Sequence, residues 1–243
     1  MGARTASEDV LAWLARGDLE LEGRLVNASN ATFYGHLSGT APDPFRIACV
    51  YKPIRGERPL EDFPDGTLAA REVAAFQLSA ATRWAVVPPT VMRDGPFGPG
   101  MVQRWLEPDP TIDPLDLIRA GVPALRRMAL FDAVANNADR KVGHLLPMAD
   151  GQVHGVDHGI CFAVEPKLRT VLWNWRGERF TTAERRLLET LATELAGPLG
   201  AGLGRLLTAH EVAATRARVA QLLATGRFPQ PDPDRPAMPW PPF

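Results

Sequence analysis

The run Asn136-Asn137-Ala138-Asp139-Arg140-Lys141-Val142-Gly143-His144 holds a carboxylate, a lysine two residues on and an imidazole five residues on. A second acid follows in Val156-Asp157-His158-Gly159. Phosphoryl transfer uses such a set: one carboxylate takes the acceptor's proton, a cation neutralises the moving phosphoryl group, and further groups hold the divalent ion that bridges nucleotide phosphates. Asp139 is the candidate acceptor-activating group, because a carboxylate at a helix C-terminus opposes the dipole and has little structural reason to be there. Lys141 is the candidate contact to the γ-phosphate, and Arg140 reads as a tether for the loop. Asp157, between apolar Val156 and Gly159, is the leading metal candidate, and a hairpin through Ala149-Asp150-Gly151 returns the chain to it from His144. Imidazole favours softer ions than an all-oxygen shell does, so His144 as a ligand points towards Mn²⁺ as well as Mg²⁺.

Strands and helices must position these loops. Leu19, Leu21, Gly23 and Leu25 alternate with Glu20, Glu22 and Arg24, the pattern of a half-buried strand, and residues 31–37 and 45–51 predict two more antiparallel strands around a Gly/Pro-rich turn. A helix is expected from Asp9 to Gly17 with Ser7 as its N-cap, and a second over 67–83 after the turn Pro64-Asp65-Gly66. Strands over 86–93 and 100–106 come next. Glu107-Pro108-Asp109-Pro110 then removes ladder donors and predicts a hinge. Beyond it Leu115, Ile118, Val122, Leu125, Met128 and Phe131 recur at helical spacing, with Pro123 restarting a helix at its first turn. Thr181-Thr182-Ala183-Glu184 is a capping box that opens a helix burying Leu187, Leu188, Leu191 and Leu195. A last helix runs from about 209 to 223 and ends near Gly226, and the Pro-rich tail 229–243 is expected to be extended or disordered.

The loop order resembles the Asp-Arg-His-x-x-Asn and Asp-x-Gly elements of the phosphatidylinositol 3- and 4-kinase-like branch of the protein-kinase-like fold, which includes the HipA-type bacterial kinases. More closely, Val50-Tyr51-Lys52-Pro53, the stretch from Phe63-Pro64-Asp65-Gly66 to Arg71-Glu72, and Val156-Asp157-His158-Gly159 resemble an actinobacterial phosphatidylinositol-kinase-like family, over nearly the whole chain apart from the tail. The resemblance implies an α+β bilobal fold: an antiparallel-sheet N-lobe with one main helix over 1–106, a mostly helical C-lobe over 107–228, and the tail 229–243. It implies ATP with Mg²⁺ or Mn²⁺, and transfer of the γ-phosphate to a hydroxyl of an unidentified protein, lipid or small-molecule acceptor. Lys52 would grip the α- and β-phosphates, with Glu72 as its ion-pair partner and Glu57 or Glu61 as substitutes. The first hairpin would cover the phosphates through Ser29 and Asn30, which read equally as turn residues. The strand 101–106 would offer backbone groups of Gln103 and Trp105 to adenine. The sequence departs from the pattern at four points: no Gly-rich phosphate loop is present, Lys141 matches the Asp-x-Lys of protein-kinase catalytic loops better than Asp-Arg-His, His144 stands where a metal-binding Asn is usual, and His158 replaces the aromatic residue of Asp-Phe-Gly.

In bulk, 45% hydrophobic and 23% charged residues over 243 positions describe an ordinary globule, and a net charge of -1 gives no field for nucleic acid. No window reads as a transmembrane span, and the N-terminus lacks the apolar stretch of a signal peptide. Cys49 and Cys161 sit in apolar runs and read as reduced core thiols, which suits a cytoplasmic protein. Two other functions compete. A nucleotide-binding pseudokinase with a regulatory or scaffold role is favoured by His144 and the unconventional phosphate loop. A metal-dependent hydrolase is suggested by His144, His154 and His158 around Asp157, although His154 and His158 lie in a strand-like pattern and would not share a helix face.

Overall fold

The computed structural model describes residues 6–26, 29–39 and 45–243. Asn27, Ala28 and the turn expected around 40–44 lie outside the described residues. Helix α1 (Ala6–Arg16) leads into strands β1 (Asp18–Arg24), β2 (Phe33–Gly39) and β3 (Phe45–Pro53). Ser7 lies within α1 rather than capping it. After helix α2 (Leu68–Thr82), β4 (Thr90–Gly95) and β5 (Gly98–Arg104) complete an antiparallel sheet of order β1-β2-β3-β5-β4. β4 starts later than the apolar run at 86 predicts, because Pro88 and Pro89 carry no N–H for a ladder and Val87 N–H is spent on Ser79 Oγ at 3.0 Å.

Side chains alternate across a strand, and that period sorts the sheet's two faces. Leu37, Cys49, Tyr51 and Val102 face α1 and form a core with Val10 and Leu14. Lys52 and Met101 fall on the opposite face, where Ala69 and Val73 of α2 cover Met101. Glu57 fixes the start of α2 by accepting the N–H groups of Leu68 and Ala69 at 3.0 and 2.8 Å, so it is a helix cap and not a partner of Lys52.

The chain leaves β5 through the Pro-interrupted connection and enters the helical part: α3 (Pro114–Ala120), α4 (Pro123–Ala135), the hairpin β6 (Leu145–Pro147) and β7 (Val153–Gly155), then α5 (Thr182–Ala196), α6 (Pro198–Leu203) and α7 (Ala209–Thr225). Thr181 and Glu184 form the expected capping box, a second one at Thr208 and Glu211 opens α7, and Gly226 closes that helix in the left-handed conformation at φ 64°. Leu188, Leu191 and Leu195 are buried, while Leu187 is only half buried. Ala74, Ala75 and Leu78 of α2 join the large core built by α4 to α7, so α2 is packed on two sides. The tail is extended but tied down: Ala237 C=O accepts from Thr170 N–H at 3.1 Å and from Trp173 Nε1 at 2.8 Å, and Pro242 C=O accepts from Val142 N–H at 2.9 Å.

Candidate active site

Lys52 is the centre of the candidate site. Its Nζ lies 2.7 Å from Glu72 Oε1 and 2.8 Å from Asp157 Oδ1, although the three residues are separated by 20 and 105 positions in sequence. The flanking carboxylates raise the Lys52 pKa despite the burial that opposes its charge. Glu72 is almost wholly buried, and its second oxygen accepts the backbone N–H of His158 at 2.9 Å, so one side chain of α2 sets both the lysine and the Asp157 segment. Asp157 lies on the left-handed side at φ 61°, an uncommon conformation for a non-glycine residue and one often found where geometry serves a site. Half its side chain is open to solvent at 49%, and Lys52 above all holds its carboxyl far below the usual range.

The loop after α4 is built around a buried ion pair. Arg140 Nη2 lies 2.8 Å from Asp132 Oδ1 and its Nε 3.0 Å from Oδ2, with neither side chain exposed. Such a pair repays its desolvation only if the other polar atoms are satisfied. Asn137 Nδ2 donates to Asp132 at 3.0 Å, and Arg140 donates to Val156 C=O and to His158 Nε2, the latter at 2.7 Å. His158 therefore does more than pack: it accepts at Nε2, is neutral with its pKa well below the ordinary value through burial, and joins the two loops. Gly155 is required beside it, since a Cβ there would sit 2.9 Å from the Arg140 guanidinium. Asn136 caps α4 in the left-handed conformation and holds the segment beyond Gly159 through Ala163 C=O, Glu165 C=O and Lys167 N–H.

On this frame Asp139 and Lys141 face each other, Nζ to Oδ2 at 3.1 Å, and Asp139 N–H is held by Asn137 Oδ1 at 2.9 Å. Burial raises the Asp139 pKa, with Lys141 opposing. His144 Nε2 lies 3.5 Å from Asp157 Oδ2, and burial pushes its imidazole down to about 4, so it is neutral at physiological pH. A neutral imidazole beside a half-open carboxylate is a donor set that a divalent ion can use when phosphate oxygens and water complete its shell. Among the described residues no three His, Cys, Asp or Glu side chains converge as a metal cage, and His154 and His158 belong to no cluster with Asp157.

The remaining expected contacts lie on the first hairpin and at the end of β5. Ser29 and Asn30 precede β2, but Asn30 Oδ1 accepts Arg58 N–H at 2.8 Å and Ala31 N–H is bonded to Gly56 C=O at 3.0 Å, which ties this turn to the segment after β3. Gln103 is buried in the sheet with Nε2 on Thr90 Oγ1 at 2.8 Å, and its backbone lies opposite Val50 in the β3–β5 ladder. Trp105 N–H is spent on Ala48 C=O at 3.0 Å, so it is not the donor offered to a base; Leu106 N–H has no partner among the described residues. The Trp105 ring lies edge-on to Tyr34 and lines, with Leu25 and Glu107, an open pocket of about 430 Å³. Sequence spacing missed Asp132 and the buried pair of Arg71 with Glu211, whose partners lie 140 positions apart; Arg71 also bonds Cys161 C=O at 2.8 Å. The Thr208-to-Glu211 spacing was the one local sign that Glu211 has a structural task.

The α+β architecture with this antiparallel sheet is that of the protein-kinase-like fold. Hydra Fam20, solved with a sugar, superposes with a TM-score of 0.62 at 15% identity, covering 92% of this chain and 89% of that one. The Golgi casein kinase with Mn and ADP bound gives 0.53 at 14%, covering 90% and 75%, and the Helicobacter pylori proinflammatory kinase CtkA gives 0.50 at 9%, covering 88% and 94%. No protein-family model matches the chain. The chain is 43% identical over 276 aligned positions to Protein Rv2133c of Mycobacterium tuberculosis, spanning 99% of itself and 98% of that relative, and it belongs to the family of that protein.

Proposed function

We propose that this protein is an ATP-dependent phosphotransferase that moves the γ-phosphate to a hydroxyl of an unidentified protein, lipid or small-molecule acceptor. The observation that carries the reading is the meeting of Lys52, Glu72 and Asp157 at 2.7 and 2.8 Å, fed from a strand, a helix and a loop. A lysine held by a helix glutamate beside a metal-capable aspartate is the arrangement phosphoryl transfer uses to grip nucleotide phosphates. The likeness to the Golgi casein kinase, seen with Mn and ADP, supports nucleotide and divalent-ion binding here. Asp157 and His144 would hold the Mg²⁺ or Mn²⁺, which supplies charge neutralisation at the phosphates. Asp139, its basicity raised by burial, takes the acceptor's proton, and Lys141 steers the carboxylate and meets the phosphoryl oxygens. Trp105 and Tyr34 offer an aromatic wall to the base, in place of the Trp105 N–H. Ser29 and Asn30 cover the phosphates by their backbone.

The division at residues 106 and 107, the cytoplasmic location and the place within the phosphatidylinositol-kinase-like branch are part of this proposal. They rest on the loop order and on the reduced, buried Cys49 and Cys161; no helix among the described residues is long and apolar enough to cross a membrane. A pseudokinase role is the second reading, favoured by His144 at the metal site. Titration calorimetry with ATP and Mn²⁺ tests the binding step: saturable binding by the parent that Lys52→Met abolishes is expected, and equal binding by both would remove Lys52 from the site.

A further inference from the structure

A second concavity lies behind the catalytic loop, where α7, the segment 164–169 and the start of the tail enclose about 910 Å³. This volume falls in the range of small-molecule sites. Val164, Leu168, Ala214, Leu222 and Phe228 give it apolar walls. Its charged lining is one-sided: Lys167, Arg169, Arg218, Arg227 and Arg235 stand against a single acid, Asp232, in a chain whose net charge is -1. Lys167 is paired with Asp62, and Arg235 with Asp232. The other three have no carboxylate in ion-pair contact among the described residues. Arg218 donates to Val134 C=O and Ala163 C=O at 3.0 Å each and to Thr215 Oγ1 at 2.8 Å, all neutral oxygens. Burial lowers its guanidinium pKa to about 10, against a longer-range pull from Cys161 and from Glu211, whose carboxylate is already paired with Arg71. Among the described residues the Arg227 guanidinium bonds Gly177 C=O alone, and the Arg169 guanidinium makes neither a hydrogen bond nor an ion pair, only a longer-range attraction to Asp62. Arg169 and Arg218 are half buried while Arg227 is exposed, and a partly buried cation without an anion is unfavourable unless something supplies one.

We infer that this cleft binds an anionic amphiphile, a phosphate or carboxylate head on an apolar body, with Arg169, Arg218 and Arg227 taking the head and the α7 face taking the chain. Apolar walls alone would accept any hydrophobe and cations alone would accept any anion; their conjunction selects a molecule that has both. The cleft meets the frame of the catalytic loop at Asn136 and Arg169 but is lined by none of Lys52, Glu72, Asp139, Lys141, His144 or Asp157, so the inference stands independently of the phosphotransferase reading.

The test uses the full chain and three probes in calorimetric titration: decyl phosphate below its micelle concentration, decanol and inorganic phosphate. Saturable binding of decyl phosphate is expected, with the other two at least about tenfold weaker, since each charge-assisted hydrogen bond lost is equivalent to roughly a factor of ten in affinity. The double variant R169A/R227A should weaken decyl phosphate by about tenfold or more on the same ground, whereas Ala217→Trp should block it by filling the cleft with the guanidinia intact. Circular dichroism checks that both variants fold. No saturable decyl phosphate binding, equal affinity for inorganic phosphate or decanol, or unchanged binding in both folded variants would each overturn the assignment.

Discussion

In the proposed phosphotransferase Asp139, Asp157 and His144 divide the chemistry between them, and each separates from the others in experiment. Asp139→Asn keeps the shape of the loop but removes the proton acceptor, so ATP binding should persist while the transfer rate falls by roughly 10²- to 10⁴-fold, the usual worth of a general base. Asp157→Asn is the matching change at the metal: asparagine tolerates the left-handed backbone at φ 61°, so the fold should survive while the ion-dependent part of ATP stabilisation in a thermal-shift assay disappears. His144 carries a pH signature. Its pKa lies at about 4 against 6.5 for an ordinary histidine, so between these values the unfolded chain binds a proton that the native chain refuses. Stability should therefore drop as pH falls from about 6.5 to about 4, and His144→Asn should lose less over that window in urea titrations at its two ends. Equal losses in parent and variant would show that His144 is not held neutral by the fold.

α2 is the element on which the site depends, because its consecutive Arg71 and Glu72 point to different partners and neither is solvated. Glu72 sets Lys52 and His158, while Arg71 bonds Glu211 at the start of α7 and Cys161 C=O in the Asp157 segment. Glu211→Ala strands a buried guanidinium and removes a capping-box acceptor, so a loss of about 3 to 5 kcal/mol in chemical denaturation is expected. The paired change R71M/E211L should restore most of it, since well-packed apolar residues commonly replace a buried ion pair without loss. If the single and double variants lose equally, packing and not charge dominates that contact. The capped and periodic elements were legible in the sequence, because a strand's alternation and a capping box are written within a few residues. α6 was not: Pro198-Leu199-Gly200-Ala201-Gly202-Leu203 carries two helix-weakening glycines and is held by burial of Leu199 and Leu203 in the large core. The tail misled in part for the same reason, since proline content predicts an extended chain but not that Ala237 and Pro242 find donors on Thr170, Trp173 and Val142.

At the scale of the whole molecule, sheet and helical part are joined by the connection after β5 and by α2, which packs against Met101 on one side and against the core of α4 to α7 on the other. Lys52 and Asp157, 105 positions apart, meet across this junction. That Lys52, Glu72 and Asp157 come together was expected from the loop order; the pairs of Asp132 with Arg140 and Arg71 with Glu211 were not, since tertiary packing selects them. One donor expected for adenine, Trp105 N–H, was not legible as engaged for a related reason: the sheet register spends it on Ala48 C=O. The measurement that reaches the central claim most directly is incubation of the purified protein with γ-labelled ATP and Mn²⁺ or Mg²⁺, followed by intact-mass spectrometry and quantified ADP release. Labelled phosphate on the protein or ADP above the protein-free control is expected for the parent, falling by about 10²-fold or more in Asp139→Asn and abolished in Asp157→Asn. Neither label nor ADP with either ion, or equal turnover in parent and both variants, would contradict a phosphotransferase built on Lys52, Asp139 and Asp157.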